Sequence, residues 1–245
     1  MRGEDGGRQG RADRTTDRAQ HVVEAHRAAE LVDGHVAGER AASAVSAPTM
    51  LLRDDVDPPC SWSRSRVTWE GCSTQPDSDA IVTWEIAGQA HADAHQSGEQ
   101  AGLVDCGGAI NSGQQVFVVR AALRHLVSWV AGGARPPGAP PVELDDDEVV
   151  PRDLGIGRGG VRSPAVEPPV EKLVDSTYPQ SVPFCMLLGR TEEVAEEQIR
   201  QRWSGRDEYL RAYEEAADRL IAEGFLLADD RAEILADARP ERISW

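Results

Sequence analysis

The chain has one lysine, Lys172, against 25 arginines, and aromatic residues make up only 5% of its 245 positions. Basic residues as a whole are short: 26 face 42 acidic ones, a formal net charge of −16. Phosphate binding needs clustered cations, so neither a nucleic acid nor an anionic membrane surface is expected as partner. No run reaches the roughly 18 apolar residues that a membrane span needs. The opening residues, MRGEDGGR, hold no apolar stretch. They do not read as a signal peptide, and the cytoplasm is the expectation for the sequence as it stands. The four cysteines (Cys60, Cys72, Cys106 and Cys185) form no CxxC and keep no regular spacing. That argues against a zinc site and makes free thiols the default, with a Cys106–Cys185 bridge left open. Internal repeats are absent. So is any G-x-S-x-G turn, the elbow that presents a nucleophilic serine in many hydrolases.

What is present can still bury a sizeable core, since 40% of residues are hydrophobic. Residues 1–18 carry almost nothing apolar and are expected to be disordered. Residues 19–33 (AQHVVEAHRAAELVD) have helical spacing and stop at Gly34. Residues 81–86 (IVTWEI) read as a short buried strand ended by Ala87 and Gly88, followed by a polar loop over 91–113. Residues 114–131 form the clearest amphipathic helix, with Phe117, Ala121, Leu123, Leu126 and Val130 as core candidates. Gly132 and Gly133 stop it. A Pro- and Gly-rich stretch over 134–182 holds strand-like pieces at 148–150 and 170–174. Residues 183–188 read as a strand or buried segment, and helices are expected at about 191–202, 206–223 and 229–238, broken by Trp203-Ser204-Gly205 and by Gly224. Short strands mixed with helices make the fold class α/β.

The segment 84–93 (WEIAGQAHAD) is the strongest chemical candidate. Functional groups of α/β sheets sit where strands leave their carboxyl ends. A histidine held there, His91, can take a proton from a serine and return it to a leaving group. The plainer alternative is a loop histidine that fills space. His91, Asp93 and His95 alternate as metal ligands on a strand would, but no further ligand cluster accompanies them. His125 and Trp129 read as helix packing. Residues 155–160 (GIGRGG) lack the strand–helix context of a phosphate loop and read as a hairpin, and the acidic run at 145–148 reads as a surface turn.

Several blocks in order resemble one family. Residues 84–93, the Asn111-Ser112-Gly113-Gln114-Gln115 block, residues 120–130 (RAALRHLVSWV), 136–140 (PPGAP), 159–164 (GGVRSP), 184–189 (FCMLLG) and the pair 209–213 and 222–227 are similar to bacterial α/β-hydrolase-domain proteins that carry a WEVAGTAHAD-like block. The similarity runs over about residues 75–240. It implies an α/β-hydrolase fold, an esterase-like activity on small-molecule esters, and His91 as the triad histidine. No cofactor is expected, and a metal-dependent enzyme using His91, Asp93 and His95 is a distant third reading.

The chain departs from the family at the other two triad positions. Residues 19–33 echo the helix after the family's elbow, yet residues 10–20 (GRADRTTDRAQ), which lead into it, contain no serine. Ser97 and Ser112 lack the elbow context. In place of the family's acid loop stands a Cys-, Trp-, Ser- and Arg-rich stretch, 58–74, in which Glu70 is the nearest carboxylate; Asp54, Asp55 and Asp57 lie upstream. An arginine-rich, lysine-poor composition fits a GC-rich gene. Valine and leucine codons such as GTG and CTG, read one base out of frame, yield cysteine, tryptophan and serine. Residues 58–74, and 1–18 with them, are therefore expected to derive from a shifted frame. The expectation is a partial α/β-hydrolase-type sheet with a helical C-terminal extension: 1–18 outside the fold, 19–135 a C-terminal part of the hydrolase core, 136–245 a family-specific extension. The chain would be inactive alone and able to self-associate. The alternative is a non-catalytic binding or assembly module derived from a hydrolase.

Overall fold

A buried strand with a second strand beside it organises the molecule. The computed structural model describes residues 48–54, 77–98, 105–145, 148–174, 185 and 187–245. Strand β1 (Thr49–Asp54) pairs in parallel with β2 (Ile81–Ile86), Thr49 opposite Ile81 and Asp54 opposite Ile86. The other edge of β2 is met at one point by Val161, whose N–H donates to the Glu85 carbonyl at 2.7 Å while its own carbonyl accepts from Ala87 at 3.1 Å. The two faces of β2 differ: Val82, Trp84 and Ile86 on one are buried, while on the other Ile81 is buried and Thr83 and Glu85 are half-buried.

Helix α1 (Ala94–Ser97) follows the turn after β2, and α2 (Gln115–Val130) follows the loop beyond it. A small hairpin pairs β3 (Leu144–Asp145) with β4 (Glu148–Val149), and β5 (Glu171–Val174) pairs antiparallel with β6 (Arg190–Glu193). The chain ends in α3 (Glu196–Arg202), α4 (Arg206–Glu223) and α5 (Arg231–Ala236). Among the described residues no helix is long and apolar enough to cross a membrane.

The main core joins β2, α2 and the C-terminal helices. Val82, Trp84, Phe117, Val118, Ala121, Tyr209, Tyr213, Leu220, Phe225, Ile234 and Ile243 belong to it. Trp84 is fully buried; its ring meets Phe225 edge-on at 4.9 Å and His125 at 5.7 Å, and its Nε1–H donates to the Pro137 carbonyl at 2.8 Å. A buried indole needs such an acceptor, since leaving its N–H unpaired would cost about 1–3 kcal/mol. His125 therefore packs as the sequence indicated, with Nε2 against the Gly224 carbonyl at 2.8 Å.

Several sequence expectations hold. The strand at 81–86 and the long C-terminal helix have the expected bounds, and Gly224 caps that helix in the left-handed region. The helix at 114–131 forms, but its buried face is rotated. Val118 and Ala122 lie inside with Phe117 and Ala121, while Leu123 and Val130 are 53% and 62% exposed. The helix carries apolar residues around most of its circumference, and the small Ala121–Ala122 pair lets its backbone come close to the sheet. The described part of the 183–188 segment is no strand: Leu188 N–H turns back onto the Cys185 carbonyl at 3.2 Å, and both residues are buried. The helix expected at 191–202 begins only at Glu196, because residues 190–193 form β6. The readings for 1–18, 19–33 and 58–74 lie outside the described residues.

Free thiols were the default expectation, and at Cys106 and Cys185 this is corrected: the two form a disulfide, Cα–Cα 5.5 Å. The residues after them are brought together by backbone pairing, with Thr191 N–H on the Ala109 carbonyl at 2.8 Å and Asn111 N–H on the Leu188 carbonyl at 3.2 Å. A separation of 79 residues leaves no local trace of such a pairing.

Candidate active site

The site is built on the turn that ends β2. Gly88 has φ +70°, and a Cβ there would lie 3.0 Å from side-chain methyls of both Ile156 and Val166, so conformation and space each require glycine. Gln89 and Ala90 are buried after it, and His91 comes out exposed. The next residue returns inward. Ala92 N–H donates to the Leu187 carbonyl at 2.9 Å, and Ala94 N–H to the Asn111 carbonyl at 2.8 Å.

Asp93 fixes the far side of the turn. Its fully buried carboxylate accepts from the Gln96 N–H at 2.9 Å, while the Gln96 side chain accepts from the Asp93 N–H at 3.0 Å. This reciprocal pair is a capping box. The second oxygen of Asp93 takes the Val116 N–H in the first turn of α2 at 3.4 Å. One carboxylate thus caps two helices, and each N-terminus supplies the partial positive charge that suits it.

The NSGQQ block braces the turn from below. Asn111 is fully buried; its amide donates to the carbonyls of Gly88 at 3.1 Å and Val174 at 3.3 Å, and its oxygen accepts from Gly113 N–H at 2.9 Å. The Gly113 carbonyl accepts from the Gln89 amide and from the Ser163 hydroxyl, the latter at 2.7 Å. Gln114 adopts φ +70°, ψ 26° and is fully buried. Its amide donates to the Tyr213 hydroxyl at 2.6 Å and to Asp237 at 3.0 Å, and its oxygen accepts from Ala165 N–H at 3.2 Å. Burial pushes the Tyr213 phenol well above its usual range, so it stays neutral.

His95 reaches the C-terminal segment at Asp237, the carboxylate that Gln114 of the brace also bonds. Its Nε2 lies 3.1 Å from Asp237 and its ring stands edge-on to Phe117 at 5.4 Å. The hydrogen bond to Asp237 raises its pKa, against the opposing effect of partial burial, and the charges of Asp237, Asp93 and Glu233 add to the rise.

The structure therefore separates the sequence candidates. His91 is presented to solvent at the carboxyl end of β2, whereas Asp93 and His95 are used in capping and in tying the C-terminal segment. The three do not converge as ligands, and no group of three or more metal-binding side chains occurs among the described residues. Ser112 bonds Thr191, its Oγ at 3.1 Å from that hydroxyl, and Ser97 ends α1; neither sits on a strand-to-helix elbow. Glu70, Asp55 and Asp57 lie outside the described residues, as does the Asp54 side chain. The 155–160 segment is a turn rather than a phosphate cradle: the Arg162 guanidinium donates to the Gly157 carbonyl, and Pro151 pairs with Gly157. Of the brace residues, Gln89, Asn111, Gln114 and Ser163 fall in blocks that carry the family resemblance, but none was given a role from sequence, and Asp237 carried no signal.

A family model for the alpha/beta hydrolase domain matches residues 12–236. The chain belongs to the alpha/beta hydrolase domain family. The family match takes in both the described sheet and the C-terminal helices, and it starts well before the blocks whose resemblance begins near residue 75. Neither the curated proteins nor the solved structures provide a match to this chain.

Proposed function

We propose that this member of the family derives from a serine-type carboxylic-ester hydrolase, that His91 occupies its general-base position, and that the chain does not turn over esters by itself. The supporting observation is the presentation of His91. A largely buried strand ends in a glycine turn, the histidine stands exposed beyond its carboxyl end, and the residues on either side of it are held by backbone bonds and a doubly capping aspartate. In a complete site of this type a serine attacks the ester carbonyl while the histidine takes its proton, then returns it to the departing alcohol. A carboxylate orients the imidazole, and backbone N–H groups hold the oxyanion. No G-x-S-x-G turn occurs in the sequence to supply the first of these parts.

The test is hydrolysis of a short-chain p-nitrophenyl ester by the purified chain and by His91→Ala. The expected result is the same background rate for both. A rate that is robust in the native chain and abolished in His91→Ala would overturn the claim of inactivity. Native fold and self-association without turnover would instead place the chain with binding or assembly modules derived from hydrolases.

A further inference from the structure

We propose that the cavity which Tyr209 and Tyr213 of α4 share with the 237–239 segment is a binding site for one internal water, held by the two phenol hydroxyls. This inference is independent of the reading of His91. The cavity measures about 20 Å³, and its polar lining is Ser112, Glu171, Tyr209, Tyr213, Asp237 and Arg239. One water needs roughly 10–15 Å³, so the space takes a single molecule of that size and nothing larger.

The two phenols call for an occupant. Both tyrosines are only 2% exposed. Each oxygen already accepts a hydrogen bond: Tyr213 from the Gln114 amide at 2.6 Å, Tyr209 from the Arg239 N–H at 3.1 Å. Each therefore has its own hydrogen left to place, and neither donates it to an acceptor among the described residues. Native proteins seldom leave a buried donor unpaired, because its lost hydration is not repaid. The rings lie one helical turn apart on α4, centroids 5.7 Å from each other, so one acceptor can serve both hydroxyls.

The charge of the lining selects that acceptor. Asp237 and Glu171 set two carboxylates against one guanidinium, that of Arg239, which disfavours an anion. Burial pushes both phenols well above their usual range, so neither becomes a phenolate that would hold a cation. A neutral molecule with two lone pairs and two hydrogens meets the remaining demand. It accepts from both phenols and donates to carboxylate. Asp237 has an oxygen to spare: its Oδ2 bonds His95 and Gln114, while its Oδ1 pairs only loosely with Arg239 at 3.7 Å. The water thus joins α4 to the same carboxylate that already ties α1 and the start of α2 to the C-terminal segment.

A high-resolution crystal structure of the full chain tests this, with Tyr209→Phe/Tyr213→Phe beside it and bromide in place of chloride in the crystallisation salt. The native chain is expected to show one peak of density within about 3.2 Å of both hydroxyls, with no anomalous signal from bromide. In the double variant that peak should be lost. An empty cavity in the native chain would overturn the proposal, as would a phenol bonded directly to Asp237 or Glu171. A bromide signal at the site, or contacts at the shorter distances of a metal ion, would show an ion instead and equally overturn it. Density retained in the double variant would refute the part given to the phenols. Should the double variant not fold, Tyr213→Phe alone serves: the water should then lie off its native position, toward Tyr209, and an unmoved peak would count against the shared site.

Discussion

Gln114 offers a sharp test of how the site is braced, because two physical effects there oppose the usual order of substitutions. Replacing it with alanine removes two donated bonds and one accepted one, and strands the Ala165 N–H. Each of the three lost bonds is worth about 1 kcal/mol net, and stranding the half-buried Ala165 N–H adds about 1 kcal/mol more. Gln114→Ala should therefore destabilise the chain by about 4 kcal/mol. Gln114→Gly loses the same bonds, but its left-handed backbone no longer carries a Cβ, which relieves about 1 kcal/mol of strain. Glycine should then be better than alanine at 114 by about 1 kcal/mol. At Arg124, exposed in the middle of α2, the order should reverse, with glycine worse than alanine by about 1 kcal/mol. Urea unfolding of the four variants measures both differences. Variants at 114 within 1 kcal/mol of the native chain would refute the bracing network, and alanine better than glycine there would refute the left-handed conformation.

Other expectations follow from the same contacts. Asp93→Ala should cost about 2 kcal/mol in urea unfolding, since it uncaps two helices at once. Gly113→Ala should destabilise by about 1–3 kcal/mol, because a Cβ would fall 2.2 Å from the buried Gln89 amide; native-like stability in the same assay would show that Gln89 can move aside. The His95–Asp237 pair gives a pH dependence of definite sign. The folded pKa of His95 lies above its unfolded value, so its stabilisation is complete below about 6.5 and is lost as pH rises through the folded value. The urea midpoint should fall between pH 6 and pH 8.5, and His95→Gln should flatten that fall. Reducing the Cys106–Cys185 bridge, which closes a loop of 79 residues, should lower stability by about 4 kcal/mol, measured by unfolding with and without dithiothreitol.

How much of this was legible in the sequence depended on how local the cause was. The β2 strand and α4 were readable because apolar runs and glycine stops lie within the elements themselves. The turn with His91 was readable for the same reason. The strand β1 was missed although Met50, Leu51 and Leu52 form an apolar triplet, because polar residues closely flank it. β6 was missed because its residues, RTEE, are polar; it is held by β5 across the pair, with Lys172 opposite Glu192 at 3.1 Å. The rotated face of α2 shows the limit of periodicity in a helix apolar nearly all round. The partners of His95 and Gln114, at separations of 142 and 99 residues, have no sequence pattern at all. Asp93 looked like a ligand beside two histidines, and only the position of α2 revealed that its carboxylate is used as a cap.

The central proposal is that His91 keeps a hydrolase's base position in a chain whose sequence holds no G-x-S-x-G turn. Ester hydrolysis by the purified chain against His91→Ala tests it most directly. Equal background rates are the predicted result; turnover well above background that disappears in His91→Ala would contradict it.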